Sequence, residues 1–217
     1  MKTKIFATTD PVKESELEDY FSLLSKQKVK NIHFDVMDGK FVSAKKITSK
    51  IITVLSQKFS SLSFNVHLMT QNPCDFLKKI KNARICTVYA HIEAFETSED
   101  VVKFLRLAKE FSFKPGIAIK PESKVSELGK EVISTCKNFL IMGVIPGKSG
   151  QKMIKSTINK ITSLKKLSPK CNVAFDGGVN EKNISKIIKK GANEIALGSL
   201  MFKLASENKV ASFLAQF

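Results

Sequence analysis

Residues 31–41 read NIHFDVMDGKF, a pattern that predicts a short strand running out into a loop. Because strand side chains alternate between two faces, we expect His33, Asp35 and Met37 to point the same way. An imidazole beside a carboxylate at a strand end is typical of a metal site or of an acid/base site. An exposed polar strand end contains the same residue types, so the choice between these interpretations depends on the rest of the chain.

The whole chain repeats a strand and then a helical pattern about eight times, with no linker and no low-complexity tract. Such alternation predicts a parallel sheet. Eight units favour a closed (β/α)8 TIM barrel over an open doubly wound sheet, although periodicity alone does not separate the two. We therefore predict an α/β protein with a single domain over residues 1–217. Besides the start of residues 31–41, the predicted strands are Thr3–Thr8, Leu62–Leu68, Ile85–His91, Pro115–Ile119, Phe139–Val144, Val173–Asp176 and Glu194–Leu197.

Several helix starts are predicted from capping residues, among them Asn72 with Pro73 and Asn180. Ser15 and Glu18 have the spacing of a capping box, and an apolar stripe follows them. Ser98 precedes another amphipathic pattern and is expected to cap that helix.

The formal net charge of +16 raises the question of an anionic partner. Of the 36 basic residues only Arg84 and Arg106 are arginines, and the lysines are spread along the whole chain. A nucleic-acid surface usually clusters its charge and interleaves aromatic or arginine side chains. We interpret the charge as a composition bias that helps to attract a phosphorylated substrate, and we expect no nucleic-acid partner.

Cysteine usage and hydropathy bear on location. Cys74, Cys86, Cys136 and Cys171 have no paired spacing, which is typical of reduced thiols. No run of 18 apolar residues occurs, and residues 1–6 lack the long apolar stretch of a signal peptide. We predict a cytoplasmic protein without a membrane partner.

The chain has three histidines, each at or beside the predicted carboxyl end of a strand. In a barrel these strand ends carry the active site. Two imidazoles and two carboxylates could converge on one divalent ion there, and this donor set suits zinc, iron(II), manganese or cobalt better than magnesium or calcium. The predicted ligands are His33, Asp35, His67 and Asp176. We expect His91 to be structural or to support a ligand.

Glycine-rich turns follow the last three predicted strands. The first is the Pro146–Gln151 turn, and the other two are Gly177-Gly178 and Gly198-Ser199. Backbone amides in such turns bind phosphate, and barrels favour this corner for it. Glycine also ends strands for geometric reasons, so each turn alone indicates little.

Over nearly its whole length the sequence resembles the D-ribulose-5-phosphate 3-epimerase family. The segments that carry the resemblance are His33–Gly39, Val66–Met69, His91–Ala94, Gly116–Pro121, Pro146-Gly147 with Gly150-Gln151, Asp176–Asn180 and Gly198-Ser199. The first segment and the Asp176 segment, in this order, are the most specific.

The resemblance implies a (β/α)8 barrel with one divalent metal held by the four residues named above, and an acid/base pair, Asp35 and Asp176. It also implies a homo-oligomer, commonly a dimer, and a phosphorylated ketose as substrate. The implied substrate-binding residues are Met37, Met69, Met142, Gly147, Gly150, Gly177, Gly178, Gly198 and Ser199.

The expected function is epimerisation at C3 between D-ribulose 5-phosphate and D-xylulose 5-phosphate, a step of the pentose phosphate pathway. The family's Pro-Gly-Phe-Gly-Gly-Gln turn reads Pro-Gly-Lys-Ser-Gly-Gln here, and the loop after Gly39 also differs. The family's N-terminal Pro-Ser is absent, and Thr8 is the candidate substitute. Two alternatives remain open: a 3-epimerase for a ketohexose 6-phosphate such as allulose 6-phosphate, and an inactive basic binding barrel.

Overall fold

Eight parallel strands close into a barrel in the computed structural model, which describes residues 2–217. Each strand pairs with the next along the chain, and β1 pairs with both β2 and β8, so the sheet has no open edge in the ring. The prediction of a (β/α)8 barrel is therefore confirmed, while Met1, the first residue of the predicted domain, lies outside the described residues. The strands of the ring are β1 (Lys4–Thr8), β2 (Asn31–Asp38), β3 (Ser63–Met69), β4 (Thr87–His91), β5 (Lys114–Ile119), β6 (Asn138–Met142), β7 (Asn172–Asp176) and β8 (Glu194–Leu197). A two-residue strand outside the ring, Lys45–Lys46, pairs antiparallel with the end of β2.

Helices connect the strands and cover the outside of the barrel. Within residues 2–217 they are α1 (Leu17–Lys26), α2 (Ser49–Lys58), α3 (Pro73–Lys79), α4 (Ser98–Glu110), α5 (Gly129–Thr135), α6 (Ile158–Leu167), α7 (Ile184–Lys189), α8 (Ser199–Ser206) and α9 (Val210–Leu214). None of them is long and apolar enough to cross a bilayer.

The capping predictions at Ser15 and Ser98 were wrong. A 3₁₀ turn over Glu14–Glu16 leads directly into α1, and no side chain caps that helix. Thr97, one residue before Ser98, caps α4 by accepting a hydrogen bond from the Asp100 N–H. The local sequence offered two adjacent hydroxyl residues, and propensity alone does not choose between neighbours.

The buried apolar residues form two separate clusters. The larger core lies between the outer face of the sheet and the helices, where residues such as Phe21, Phe34 and Phe64 are buried. A smaller apolar cluster inside the barrel includes Tyr89 and Leu140. The outward and inward side chains of each strand therefore alternate, as the pleat requires.

A polar cluster closes the amino end of the barrel. The Glu194 carboxylate accepts hydrogen bonds from Asn65 Nδ2 at 3.0 Å, Asn172 Nδ2 at 3.0 Å and the Tyr89 hydroxyl at 3.2 Å. These bonds satisfy the buried polar groups at this end. A cleft lies at the opposite end of the barrel, at the carboxyl ends of the strands.

Candidate metal and substrate site

The four predicted metal ligands come from three strands, and the sheet register brings them together. In the pairing of β2 with β3, Asp35 lies directly opposite His67. Residues that are partners across parallel strands point to the same face, and His33 shares that face because it lies two residues from Asp35. Asp176 is the last residue of β7. His33 lies deeper than expected, since β2 continues to Asp38.

One ligand atom from each of these four residues lies within 4.8 Å of the others. His67 Nδ1 is 3.4 Å from Asp35 Oδ1 and 3.8 Å from Asp176 Oδ2, while His33 Nε2 is 3.7 Å from Asp35 Oδ1. Two ligands that each lie about 2.1 Å from one tetrahedral ion are roughly 3.4 Å apart. The spacing is therefore that of atoms around a common ion.

Two buried nitrogens in this cluster support the same conclusion. His33 Nε2 and His67 Nδ1 have no hydrogen-bond partner and almost no exposure. An unpaired buried polar atom costs free energy, and each such atom requires a physical reason. Both nitrogens face the carboxylates of the cluster, so a divalent cation fits the donor set and its orphaned atoms.

Burial also controls the charge of the cluster. It lowers the pKa of His33 to about 3 and the pKa of His67 well below its ordinary value, so both imidazoles are neutral at pH 7. Burial, with the charges of Asp176 and Asp10, raises the pKa of Asp35 well above its ordinary value. Burial, with Asp10, raises the pKa of Asp176 to about 7. The cluster thus resists holding two negative charges unless a cation accompanies them.

His91 lies outside the ligand group but touches it. Its Nε2 is 2.8 Å from His67 Nε2, and its Nδ1 is 2.9 Å from the Glu93 carboxylate. Glu93 lies in a 3₁₀ turn just after β4, past the strand end. His91 thus contacts His67 and Glu93, and its role as a structural or supporting residue stays a prediction.

A cleft of about 710 Å³ opens above the cluster at the carboxyl end of the barrel. Its walls include Asp35, Asp176 and every residue predicted to bind substrate. Met37 and Met69 are register partners on β2 and β3, and Met142 is the partner of Asp176 on β6 and β7. The three thioether side chains therefore lie beside the carboxylates. The roles of these residues remain predictions.

The glycine turns form the opposite wall of the cleft. Gly177 and Gly178 both have positive φ, and a Cβ at Gly177 would lie 2.5 Å from Val144 Cγ2. Only glycine fits such a turn without strain. In the Pro146–Gln151 turn, Gln151 Nε2 donates to the carbonyls of Ile145 and Lys148 at 2.7 and 2.8 Å. The turn is thus held by its own glutamine.

Ser149, one of the two altered residues of that turn, does not adopt the left-handed backbone conformation. Ser149 is absent from the four non-glycine residues of the described chain that have positive φ. Gly150, the next residue, takes the left-handed conformation with φ of +75°. The turn therefore accommodates a serine at position 149 without backbone strain from a positive φ.

Several residues around the cleft were missed by the sequence analysis. Asp10 lines the cleft and forms an ion pair with Lys46 at 2.7 Å, which joins the loops after β1 and β2. The only sequence signal was the position of Asp10 two residues beyond β1. Besides Lys148 of the altered turn, four other exposed lysines line the cleft, namely Lys152, Lys155, Lys182 and Lys203.

The fold and the cluster together define a class: a (β/α)8 barrel with a candidate mononuclear metal site at its carboxyl end. The sequence model of the "Ribulose-phosphate 3 epimerase family" matches residues 7–202. The chain belongs to this family.

Curated relatives point to the same family. A protein named ribulose-phosphate 3-epimerase from Aquifex aeolicus is 33% identical over 79% of this chain and 77% of its own length. One of that name from Buchnera aphidicola is 33% identical over 85% of this chain and 82% of its own. A cytoplasmic isoform from Oryza sativa is 30% identical, with 84% and 80% covered.

Solved structures of other barrels share the fold. One described as a native KDPGal structure has a TM-score of 0.68 at 11% identity and covers 100% of this chain and 96% of that one. The tryptophan synthase α-subunit of Pyrococcus furiosus has a TM-score of 0.65 at 17% identity, with 99% and 94% covered. At these identities the likeness concerns the fold alone.

Proposed function

We propose that this protein is a metal-dependent ribulose-phosphate 3-epimerase, an isomerase that interconverts D-ribulose 5-phosphate and D-xylulose 5-phosphate. One observation carries the proposal. Asp35 and Asp176, from opposite parts of the chain, meet two neutral imidazoles within 4.8 Å at the base of a cleft with a glycine-rich wall. Epimerisation next to a ketone needs two proton-transfer groups, and this site has two carboxylates.

Asp35 and Asp176 act as the acid/base pair. One removes the C3 proton from one face of the ketose, and the other delivers a proton to the opposite face. A proton-transfer group works best when its pKa is close to the working pH. The pKa of Asp176, raised to about 7 mainly by burial, is in that range, and Asp35 is shifted in the same direction.

His33, Asp35, His67 and Asp176 would hold one divalent ion, with zinc, iron(II), manganese or cobalt as the candidates. When bound, the ion supplies Lewis-acid stabilisation for the negative charge that develops on the substrate oxygens. The two imidazoles contribute neutral nitrogen donors, so the charge of the ion is balanced by the carboxylates alone.

Other residues of the cleft position the substrate. Met37, Met69 and Met142 are buried, polarizable and without a proton to donate, so they pack against a planar intermediate without quenching it. The phosphate binds to the amides of Gly147, Gly150, Gly177, Gly178, Gly198 and Ser199. Ser199 begins α8, whose first N–H groups have no partner within the helix and attract anions.

The same proposal extends to the setting in which the enzyme works. Residues 1–217 act as one domain, and the protein forms a homo-oligomer, with a dimer as the expected state. All four cysteines are free, which supports the cytoplasmic location that we propose. The protein's binding partner is the substrate, a phosphorylated ketose, and we expect the protein to bind neither nucleic acid nor a membrane.

The test is proton exchange at C3 of ribulose 5-phosphate in heavy water, with the protein as purified and after chelation. We expect xylulose 5-phosphate that carries deuterium at C3, and loss of this exchange after chelation with recovery on adding metal. Allulose 6-phosphate is assayed in parallel. Greater efficiency on this hexulose would overturn the choice of substrate.

A second outcome would overturn the enzyme assignment itself. If neither ketose exchanges its proton with metal present, and the protein binds RNA in a salt-sensitive manner, the barrel is a basic binding protein. Asp75→Asn serves as a control in these assays because Asp75 is an exposed carboxylate on α3 that does not line the cleft. It should leave exchange unchanged.

A further inference from the structure

A chain of hydrogen bonds runs from the metal cluster to the outside of the barrel. Glu93 Oε2 is 2.9 Å from His91 Nδ1, and His91 Nε2 is 2.8 Å from His67 Nε2. His67 Nδ1, at the other end of its ring, is the buried atom without a partner that faces Asp35 and Asp176. Both histidines are completely buried, so water does not compete for these bonds.

The direction of each hydrogen bond follows from the chemistry of a neutral imidazole, which donates through one nitrogen and accepts through the other. The Glu93 carboxylate only accepts, so His91 carries its proton on Nδ1 and accepts on Nε2. His67 must then donate from Nε2. Its Nδ1 is consequently a bare lone pair, which is the form that binds a metal ion.

We infer that Glu93 and His91 are positioning residues that fix the tautomer of His67 and hold its Nδ1 free for the metal ion. The inference rests on the metal-binding role in the proposed function. Carboxylates commonly orient metal-bound histidines by direct contact. Here the carboxylate acts through a second imidazole.

The other hydrogen bonds of Glu93 keep it in the accepting form. Its Oε1 accepts from the Lys120 N–H at 2.9 Å and from the Ser123 hydroxyl at 2.5 Å. Burial opposes ionisation, but the hydrogen bonds from His91, Ser123 and Lys120 lower the pKa of Glu93 to about 2. Three donors directed at one carboxylate stabilise its ionised form over the protonated acid.

A lysine outside the cleft holds the loop that supplies two of those donors. Lys160 Nζ, on α6, donates to the carbonyls of Lys120, Pro121 and Ser123 at 2.6, 2.8 and 2.5 Å. The loop is thereby fixed against α6, and the Lys120 N–H is aimed at Glu93. The positions of Glu93 and His91 are therefore set by the barrel and not by the ligand.

Glu93→Gln should exchange the donor and acceptor in each hydrogen bond between residue 93, His91 and His67, while the side chain keeps its shape. The glutamine oxygen is needed by the fixed Lys120 N–H, so the amide NH₂ faces His91 Nδ1. An NH₂ group can only donate, which moves the His91 proton to Nε2. His67 must then accept on Nε2 and carry its proton on Nδ1, where it blocks the metal site.

The experiment measures histidine tautomers by ¹⁵N NMR in the metal-free protein and zinc affinity by competition with a chelator. In the wild type we expect His67 protonated at Nε2 and His91 at Nδ1. In Glu93→Gln both tautomers should reverse, and the zinc Kd should rise about 10–100-fold. Reversion of the Glu93→Gln variant to glutamate should restore the wild-type affinity for zinc.

Glu122→Gln is the matched control, because Glu122 is an exposed carboxylate in the same loop and outside the hydrogen-bond chain. It should leave the tautomers and the zinc Kd unchanged. A wild-type His67 with its proton on Nδ1 overturns the inference, and this measurement needs no variant to fold. Unchanged tautomers in a folded Glu93→Gln protein overturn it too.

These readouts are independent of turnover. Both are made without substrate, so a protein that fails to epimerise ribulose 5-phosphate but shows the expected tautomers contradicts only the proposed function. A protein that epimerises normally while its tautomers are insensitive to Glu93→Gln contradicts only this inference.

Discussion

Asp35 and His67 are direct register partners on β2 and β3, and their ligand atoms Oδ1 and Nδ1 lie 3.4 Å apart. Two residues further along the same strands, Met37 is the partner of Met69. Because side chains two residues apart share a face, the polar pair Asp35 and His67 lies directly below the apolar pair Met37 and Met69. Charge is concentrated at the lower level, and the thioethers above it limit the contact of water with the carboxylates.

Asp35→Asn and Asp176→Asn should each reduce kcat for ribulose 5-phosphate by at least about 10²-fold, since a positioned acid or base contributes roughly that much or more. An amide neither takes nor delivers the C3 proton. The measurement is epimerisation rate together with metal content, because both residues are also proposed ligands.

The two variants should also differ in stereochemistry. Each leaves one carboxylate in place, so each should still exchange the C3 proton of only one of the two ketoses, and not the same one. A variant that retains metal and near-normal turnover would contradict the two-carboxylate scheme. Asp75→Asn again provides the control for loss of a carboxylate at the surface.

Much of this architecture could be predicted from the sequence because its signals are local. Alternating strand and helix patterns gave the barrel, and the positions of His33, Asp35, His67 and Asp176 on their strands placed them at one end of it. Period-two alternation then specified which side chains share a face. A parallel barrel converts such local patterns into a common site, since all its strands end at the same rim.

What could not be predicted depends on contacts between remote segments. The Asp10–Lys46 ion pair joins two loops whose approach no local pattern specifies. The same holds for Lys160, which reaches the loop before α5 from α6. Helix starts were also misplaced: Thr97, the hydroxyl residue next to Ser98, caps α4, and a 3₁₀ turn without a side-chain cap precedes α1.

Metal binding should release protons at pH 6. The pKa of Asp176 is raised to about 7, chiefly by burial, and that of Asp35 is raised as well, so the metal-free site holds protons at pH 6 that a bound cation must displace. The imidazole of His33 is already neutral and contributes none. Calorimetry in buffers with different ionisation enthalpies should give a release of about one proton or more per zinc at pH 6.

The release should decrease towards pH 8, where Asp176 is already ionised, and it should be smaller in Asp176→Asn at pH 6. Binding enthalpies that do not depend on the buffer at pH 6 would show that the site is ionised before the metal binds. That result would contradict the assigned protonation of the cluster.

The stability of the metal-free protein should depend on pH through Asp176. Its pKa is about 7 in the folded state, raised by burial and Asp10 from an ordinary value of 3.8. The protonated form thus favours the folded state fully below pH 4, and this contribution is lost as the pH rises to about 7. In chelator, Tm of the wild type minus Tm of Asp176→Asn should therefore fall between pH 4 and pH 7.

The comparison with the variant is needed because His33 and His67 titrate in the opposite sense. Their pKa values are lowered by burial, so their contribution is lost as the pH falls. Each change of 1 kcal/mol in the free energy of unfolding should shift Tm by roughly 2–4 °C for a chain of this size. A difference in Tm that stays constant across this range would refute the assignment to Asp176.

Gly178→Ala should weaken both folding and substrate binding, because Gly178 has φ of +67° and an added Cβ would lie 2.6 Å from Met153 Cα. Gly129→Ala is the matched control: its φ is +72°, yet nothing lies within 4 Å of an added Cβ. Backbone strain alone costs about 1–3 kcal/mol, and overpacking adds a similar amount. Urea unfolding should therefore show a larger loss for Gly178→Ala, with a raised KM for ribulose 5-phosphate in that variant only. Equal losses in the two variants would mean that the close approach of the Gly178 turn to Met153 has no energetic weight, and an unchanged KM would remove Gly178 from the proposed phosphate site.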